Sequence, residues 1–140
     1  MTNLIRLSSV LLCVIMANTN VFSQVKLKIE INNLYSSKGH VLVDFRDEND
    51  QAIKGISKAI SNKKCVIIVN NLKPGKYAFR YFHDENDNKK IDKYWIGAPK
   101  EGFGFSNDVM GLFGPPEFED TIFEVKENTT IKSKAFTIRL

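Results

Sequence analysis

The architecture of this chain follows from the stretch "KYAFRYFH" at residues 76–83, in which large apolar side chains recur at every second position. In an extended chain, Tyr77, Phe79 and Tyr81 fall on one face and the residues between them on the other. A turn-forming pair, Pro74 and Gly75, comes directly before the stretch. The period of two therefore predicts a β-strand with one face in a core.

The same pattern continues on both sides of this strand. An apolar run, "CVIIVNN", predicts a strand buried on both faces, whereas "ISKAI" is a weaker candidate that could also form a helical turn. The candidate strands are residues 25–31, 40–47, 56–60, 65–71, 76–83, 120–127 and 130–140. Short strands separated by turn residues predict an all-β fold, a single seven-stranded immunoglobulin- or prealbumin-like β-sandwich.

The first residues do not belong to this sandwich. Residues 1–23 carry one positive charge, Arg6, then a short apolar run and a small residue, Ser23. This order is typical of a signal peptide, although a buried N-terminal helix is the alternative. A lipid anchor at Cys13 is rejected because Leu12 before it is not small. We therefore expect an exported protein, periplasmic or extracellular, with one domain at residues 24–140 and no membrane span after signal removal.

Charge and cysteine content narrow the possible partners. The chain has a formal net charge of +4, but its basic residues are scattered among acidic ones. This pattern favours a mixed-charge surface and argues against a nucleic-acid partner. Beyond the leader Cys65 is the one cysteine, so no internal disulfide is expected, and a bound metal could stabilise the domain instead.

A calcium site is predicted where the strand at residues 76–83 ends. Asp84, Asn86, Asn88 and Asp92 stand at relative positions 1, 3, 5 and 9 of "DENDNKKID", and Lys90 at position 7 would offer its main-chain carbonyl. Calcium takes six to eight oxygen ligands, and alternate residues of a curved loop can aim oxygens at one centre. The alternative is an acidic turn that is merely solvated.

The loop departs from the EF-hand pattern at two positions. Position 6 is Lys89, where a glycine is expected, and position 12 is Trp95, where a glutamate is expected. We predict a shorter loop between strands, anchored by Ile91, with further ligands from elsewhere. The acidic candidates are Glu101, Asp108, Glu117, Glu119 and Asp120.

A long irregular segment, about residues 84–119, separates the predicted strands. It is far longer than an ordinary hairpin loop and rich in aromatic residues. Tyr94, Trp95, Phe103 and Phe105 could form a stacking platform for a small ligand or a glycan. The alternative is that these rings cap the core of the sandwich.

Catalytic signatures are weak. His83 lies beside Asp84 and could act as a base, but no serine stands in a nucleophile elbow. A non-enzymatic role is therefore expected, and an envelope hydrolase that uses His83 or a pair of carboxylates is the less favoured alternative.

Several motifs carry a family resemblance. They are "GHVLVDFRD", "PGKYAF", "FHDENDNKKID", "GAPKEGFGFSND" and "FGPPEFEDTIF", in this order from about Lys38 to the C-terminus. The chain thereby resembles DUF2141, small exported bacterial proteins without an established activity. In that family the acidic loop commonly has glycine where this chain has Lys89. The phrase "LKPGKY" is also similar to a turn of prealbumin-like and Cna-B-like sandwiches. The similarity to these sandwiches supports the fold and says little about function. We expect a binding or structural role, with an envelope or extracellular protein or a glycan as the partner.

Overall fold

The structure is a computed structural model that describes residues 23–140. These residues form eight β-strands and two short helical turns. The strands are β1 (Val25–Asn32), β2 (His40–Asp47), β3 (Ala52–Ala59), β4 (Cys65–Leu72), β5 (Gly75–Asp84), β6 (Phe103–Phe105), β7 (Phe123–Val125) and β8 (Thr129–Lys134). The turns are a 3-10 turn at Ser106–Asp108 and the α-helical turn α1 at Phe118–Thr121.

The strands are arranged in two sheets around one core. In the three-stranded sheet β1 lies between β4, to which it is antiparallel, and β8, to which it is parallel. The five-stranded sheet has the order β3-β2-β5-β6, and β7 pairs with the start of β5. The predicted all-β sandwich is confirmed, with eight strands rather than seven. The additional strand is β6, which the pattern did not reveal because it is only three residues long.

Strand β5 lies at the centre of the larger sheet, and its predicted alternation is confirmed. Tyr77, Phe79 and Tyr81 are buried against the smaller sheet. Full burial of one such side chain contributes about 1.5–3 kcal/mol relative to exposure. The hydroxyl of Tyr77 donates to the carbonyl of Lys73 at 2.6 Å, which fixes the turn before the strand.

Strand β4 corrects one prediction. The run at residues 65–71 is not buried on both faces, because Val66 and Ile68 are 42% and 45% exposed. Cys65, Ile67 and Val69 alternate with them and face the core. Burial raises the pKa of the Cys65 thiol to about 11, so the thiol is an inert core group.

The long segment after β5 is more ordered than predicted. It contains β6, the 3-10 turn and the start of α1, so the predicted irregular loop at 84–119 is interrupted. The predicted strand at 120–127 is wrong in its first part, where Thr121 closes a helical turn by donating to the Phe118 carbonyl. At 56–60 the extended alternative is confirmed, although β3 starts earlier.

The predicted signal peptide at residues 1–23 lies, except for Ser23, outside the described residues. Across residues 23–140, no helix is long and apolar enough to cross a membrane. Every core side chain found there lies between Val25 and Ala135, so a chain that starts at Gln24 carries this whole core.

Candidate functional site

The acidic loop, residues 84–92, begins where β5 leaves the sheet. Asp84 is 1% exposed, and its two carboxylate oxygens accept hydrogen bonds from the main-chain N–H groups of Asn88 (3.1 Å) and Lys89 (2.8 Å). One buried side chain therefore folds the chain back on itself. The loop is therefore anchored to the sheet through the buried Asp84 side chain.

Three of the predicted ligands, Asn86, Asn88 and Asp92, lie close together above Asp84. The amide groups of Asn86 and Asn88 both donate to the same Asp92 oxygen, at 2.7 Å and 3.1 Å. Rotation of an amide exchanges its oxygen and nitrogen, so the same positions can present oxygens to a cation. The predicted role of Lys90 rests on its carbonyl, whereas the contact found is from its N–H to the Asn88 side chain.

Lys89 stands where glycine is expected, and it still adopts the left-handed backbone conformation that favours glycine. Lys89 has φ of 61°, in the left-handed region, and Asp87 has φ of 57°. Side chains other than glycine, asparagine and aspartate rarely adopt this region, which costs roughly 1–2 kcal/mol. The tight turn is thus retained at Lys89 in spite of its side chain.

Glu101 joins the two ends of the acidic loop. It is 5% exposed, and its carboxylate oxygens accept hydrogen bonds from the N–H groups of Glu85 and Asp92, each at 3.1 Å. Burial raises the pKa of Glu101 above its ordinary 4.5, the two N–H groups lower it, and the Asp92 and Asp84 carboxylates raise it. Glu101, predicted only as a possible ligand, serves as a clamp on the loop.

The turn between β1 and β2 forms the outer wall of the acidic loop, a role that the sequence analysis missed. Ser36 donates to Glu85 at 3.1 Å, and the His40 ring lies 2.6 Å from the Asp87 carboxylate. Gly39 has φ of 70°, and any side chain there would overlap the Asp84 carbonyl oxygen. The glycine was visible in the sequence, but only the pairing of β2 with β5 shows what it faces.

His83 is a structural residue beside this wall. It is fully buried, and its Nε2 lies 2.7 Å from the carbonyl oxygen of Lys38. A carbonyl only accepts, so Nε2 carries the proton and donates. His83 Nδ1 is buried without a hydrogen-bond partner among the described residues.

The other acidic candidates lie on other parts of the fold. Asp108 accepts hydrogen bonds from Ser133 and Lys134 of β8. Glu117 directly precedes α1, and Glu119 and Asp120 lie within it. Within residues 23–140, no group of three or more His, Cys, Asp or Glu side chains could hold a metal ion. Any cation in the acidic loop must therefore rely on amide and main-chain oxygens as well as carboxylates.

A second feature, an apolar groove of about 1020 Å³, lies on the outer face of the five-stranded sheet. Its floor is built from outward residues of β2, β5 and β6, and its walls from two arms, residues 91–99 and 110–115. The residues that line the groove include Leu42, Arg80, Phe82, Phe103, Phe105 and Phe113.

The four predicted platform residues are divided by this groove. Phe103 and Phe105 lie on its floor, with ring centroids 6.4 Å apart. Trp95 is 95% exposed at the tip of the first arm, so it does not cap the core. Tyr94 packs under the Lys100 ammonium group, 5.5 Å from the ring centroid. The four rings do not form one stack.

Sequence analysis missed the arm at 110–115 and the floor residues Leu42, Arg80 and Phe82. Outward positions on β2 and β5 look like ordinary surface positions in the sequence. Only the pairing Leu42–Phe82 and Phe82–Phe103 shows that they form one apolar row.

Comparisons with known proteins agree with the sequence motifs. No curated protein and no solved structure matches this chain. A family model described as an uncharacterized protein conserved in bacteria matches residues 29–132, which include both sheets and the acidic loop. The chain therefore belongs to the DUF2141 family.

Proposed function

We propose that this protein is a non-enzymatic β-sandwich module whose acidic loop binds calcium and thereby orders the chain that follows. The observation that carries the proposal is the convergence of Asn86 and Asn88 on the Asp92 carboxylate, above buried Asp84. Oxygen ligands from alternate residues of a short curved loop are what calcium requires.

The donor set suits a weak site. Two carboxylates, Asp84 and Asp92, contribute charge, and the amides of Asn86 and Asn88 contribute neutral oxygens. Affinity for calcium rises with the number of charged ligands and with site rigidity. We expect a dissociation constant of about 10⁻⁴–10⁻³ M, the range of extracellular calcium modules.

This affinity agrees with the export that the leader suggests. A protein outside the cytoplasm meets calcium at concentrations that can fill such a site. We propose that the module acts in the periplasm or outside the cell, where its partner would be an envelope or extracellular protein or a glycan.

The chemistry of the loop supports a non-enzymatic role. His83, the candidate base of the sequence analysis, is buried and engaged with the Lys38 carbonyl. Asp84 and Glu101 are 1% and 5% exposed, so their carboxylates do not face a substrate in solvent, although the Asp84 oxygens keep lone pairs for a cation within the loop. A hydrolase would need one of these groups exposed toward a substrate.

Calcium titration of residues 24–140 tests the proposal. A ligand that binds only the folded state at ten times its dissociation constant adds about 1.4 kcal/mol to the free energy of unfolding. For a domain of this size the melting temperature should rise by roughly 4–7 °C. Isothermal calorimetry should give one site, with magnesium much weaker.

The matched variants are Asp92→Asn and Asp87→Asn. Each removes one negative charge from the same loop, but Asp87 faces His40 rather than the converging amides. We expect Asp92→Asn to abolish the calcium shift and Asp87→Asn to retain most of it. If calorimetry detects no heat of calcium binding and calcium leaves the melting temperature unchanged, the proposal is overturned. If both variants lose the calcium-induced rise in melting temperature equally, the effect is one of non-specific charge.

A further inference from the structure

We propose that the apolar groove binds one amphiphilic molecule, with its apolar chain along the phenylalanine floor and its anionic group at Arg80 and Lys93. This inference goes beyond the calcium proposal and does not depend on it. It rests on the volume of the groove, the composition of its floor and the charge of its basic lining side chains.

The floor is an apolar strip that the sheet register creates. Leu42 pairs with Phe82, and Phe82 pairs with Phe103, so these side chains stand side by side across three strands. The next outward row contains Phe105, which pairs with Arg80. All four apolar side chains are only half-buried, although they sit on the face opposite the core. The strip crosses three strands and continues into the next row, which suits a chain-like molecule.

Two arms raise walls on this floor. Ile91, Ile96 and Pro99 come from the first arm, while Leu112 and Phe113 come from the second. Leu112 and Phe113 are 94% and 104% exposed, so they make almost no contact in the protein alone. Ligand sites in proteins are concave, mostly apolar and about 300–1,000 Å³ in volume. The groove, at about 1020 Å³, fits this description.

The polar groups of the groove are predominantly basic. Asp44, Arg80 and Lys93 are its charged lining residues. Asp44 is shared, because its Oδ2 atom accepts hydrogen bonds from both Arg46 at 2.8 Å and Arg80 at 3.0 Å. Lys93 has no ion pair among the described residues. An anionic group, a carboxylate or a phosphate, is therefore the complement of these basic side chains.

The same features distinguish the amphiphile from other occupants. A glycan needs many hydrogen-bonding groups, whereas three charged side chains and Tyr81 are the polar side chains that line this groove. A flat bilayer surface could touch the exposed tips at Trp95 and Phe113 but could not fill the floor between the two walls. A single molecule with a flexible apolar chain can reach both.

Dodecanoate is a suitable probe, used below its micellar concentration and in the presence of a chelator so that calcium plays no part. Calorimetry on residues 24–140 should show one dodecanoate per chain. Dodecanol, which has the chain without the charge, should bind roughly tenfold more weakly or worse, since a charge-assisted hydrogen bond is lost. Acetate, which has the charge without the chain, should not bind measurably.

Two variants locate the site. Arg80→Gln should weaken dodecanoate binding by about tenfold and leave dodecanol binding unchanged, because only the anion contacts Arg80. Phe82→Ala should weaken both probes. Ile68→Ala, which removes an exposed apolar side chain from the outer face of the other sheet, is the control and should change neither. The melting temperature of each variant checks that it is folded.

The possible outcomes separate the alternatives. Equal affinity for dodecanoate and dodecanol, or insensitivity to Arg80→Gln, would overturn the anionic part of the proposal. Failure of the soluble probe together with binding to phosphatidylglycerol vesicles would replace it with a membrane surface. Self-association in sedimentation that Phe82→Ala abolishes would replace it with a second copy of this chain. The two experiments share no ligand, and the floor at Leu42, Phe82 and Phe103 belongs to the sheet rather than to the acidic loop, so failure of one is distinguishable from failure of the other.

Discussion

The acidic loop and the groove are neighbours along the chain but are held by opposite means. In the acidic loop, buried Asp84 and Glu101 fix main-chain N–H groups, and the side chains of Asn86 and Asn88 fix Asp92. In the groove, apolar side chains stand exposed over an apolar floor. Most polar groups of the loop make contacts within the protein, whereas the apolar side chains of the groove lack contacts on their outer side. A region of the second kind is the better candidate for binding a largely apolar ligand.

The two regions meet at residues 91 and 92. Ile91 lines the groove, and Asp92 is held by Glu101 and by the two asparagines of the loop. The position of the first arm of the groove therefore depends on the fold of the acidic loop. The second arm, residues 110–115, has no such link, so changes to the loop should affect the two arms unequally.

The largest expected effect comes from closing the space between the loop and its outer wall. Gly39→Ala would place a methyl group on the main-chain carbonyl of Asp84, at a φ of 70°. Displacement of backbone together with left-handed strain should cost about 3 kcal/mol or more. Urea unfolding of the variant, with the chelator present, measures this cost.

Gly97→Ala is the matched control, located in the first arm of the groove. It has a comparable positive φ of 87°, but an added methyl group meets nothing within 4 Å. Strain alone should cost about 1–2 kcal/mol there. If the two variants lose the same stability, the wall does not press on the acidic loop, and the contrast between the two regions fails at this point.

A smaller effect should appear in the pH dependence of the loop. The pKa of Glu101 is raised in the folded state, so above pH 4.5 the folded protein holds this proton more tightly than the unfolded chain does. The free energy of unfolding therefore decreases, for this group, as the pH rises through that window. Glu101→Gln removes the titration but also loses one of two hydrogen bonds, at a cost of about 1–2 kcal/mol.

The stability gap between the wild type and Glu101→Gln should thus be largest near pH 4.5 and narrow toward pH 7. Urea titrations at three pH values in chelator measure it. Leu112→Ala in the groove changes no titratable group and should give one constant difference. A gap that widens with pH would mean that the folded pKa of Glu101 is lowered, contrary to its burial.

Sequence patterns predicted the polar region better than the apolar one, for a physical reason. In the acidic loop the interacting groups lie within nine residues, so spacing alone brings Asn86, Asn88 and Asp92 together. The inward faces of β2 and β5 were predicted equally well because strand alternation is local. The floor of the groove depends on which strands pair and in what register, as Leu42, Phe82 and Phe103 show. Long-range pairing of this kind leaves no local signal.

Two further predictions, for residues 65–71 and for Glu101, failed for the same reason. The run at residues 65–71 looked doubly buried because its composition is apolar throughout, but Val66 and Ile68 face outward on a strand at the edge of the smaller sheet. Glu101 looked like one of several interchangeable acids. Its role as a clamp depends on the return of the chain beside β5, where the His83 N–H donates to the Gly102 carbonyl at 2.7 Å.

The smallest effect tests whether the acidic loop is strained where its sequence departs from the glycine pattern. Lys89→Gly should stabilise the protein by about 0.5–1 kcal/mol, because relief of the left-handed strain at φ of 61° exceeds the entropy that glycine adds to the unfolded chain. Lys90→Gly removes the same charge one residue later, where φ is not positive, and should destabilise by a similar amount. Thermal unfolding in chelator compares the two, and the same sign for both variants would show that charge, not backbone geometry, governs this turn. With calcium present, Lys89→Gly should also bind the cation at least as tightly as the wild type, because the turn that positions Asn88 is kept while its strain is removed.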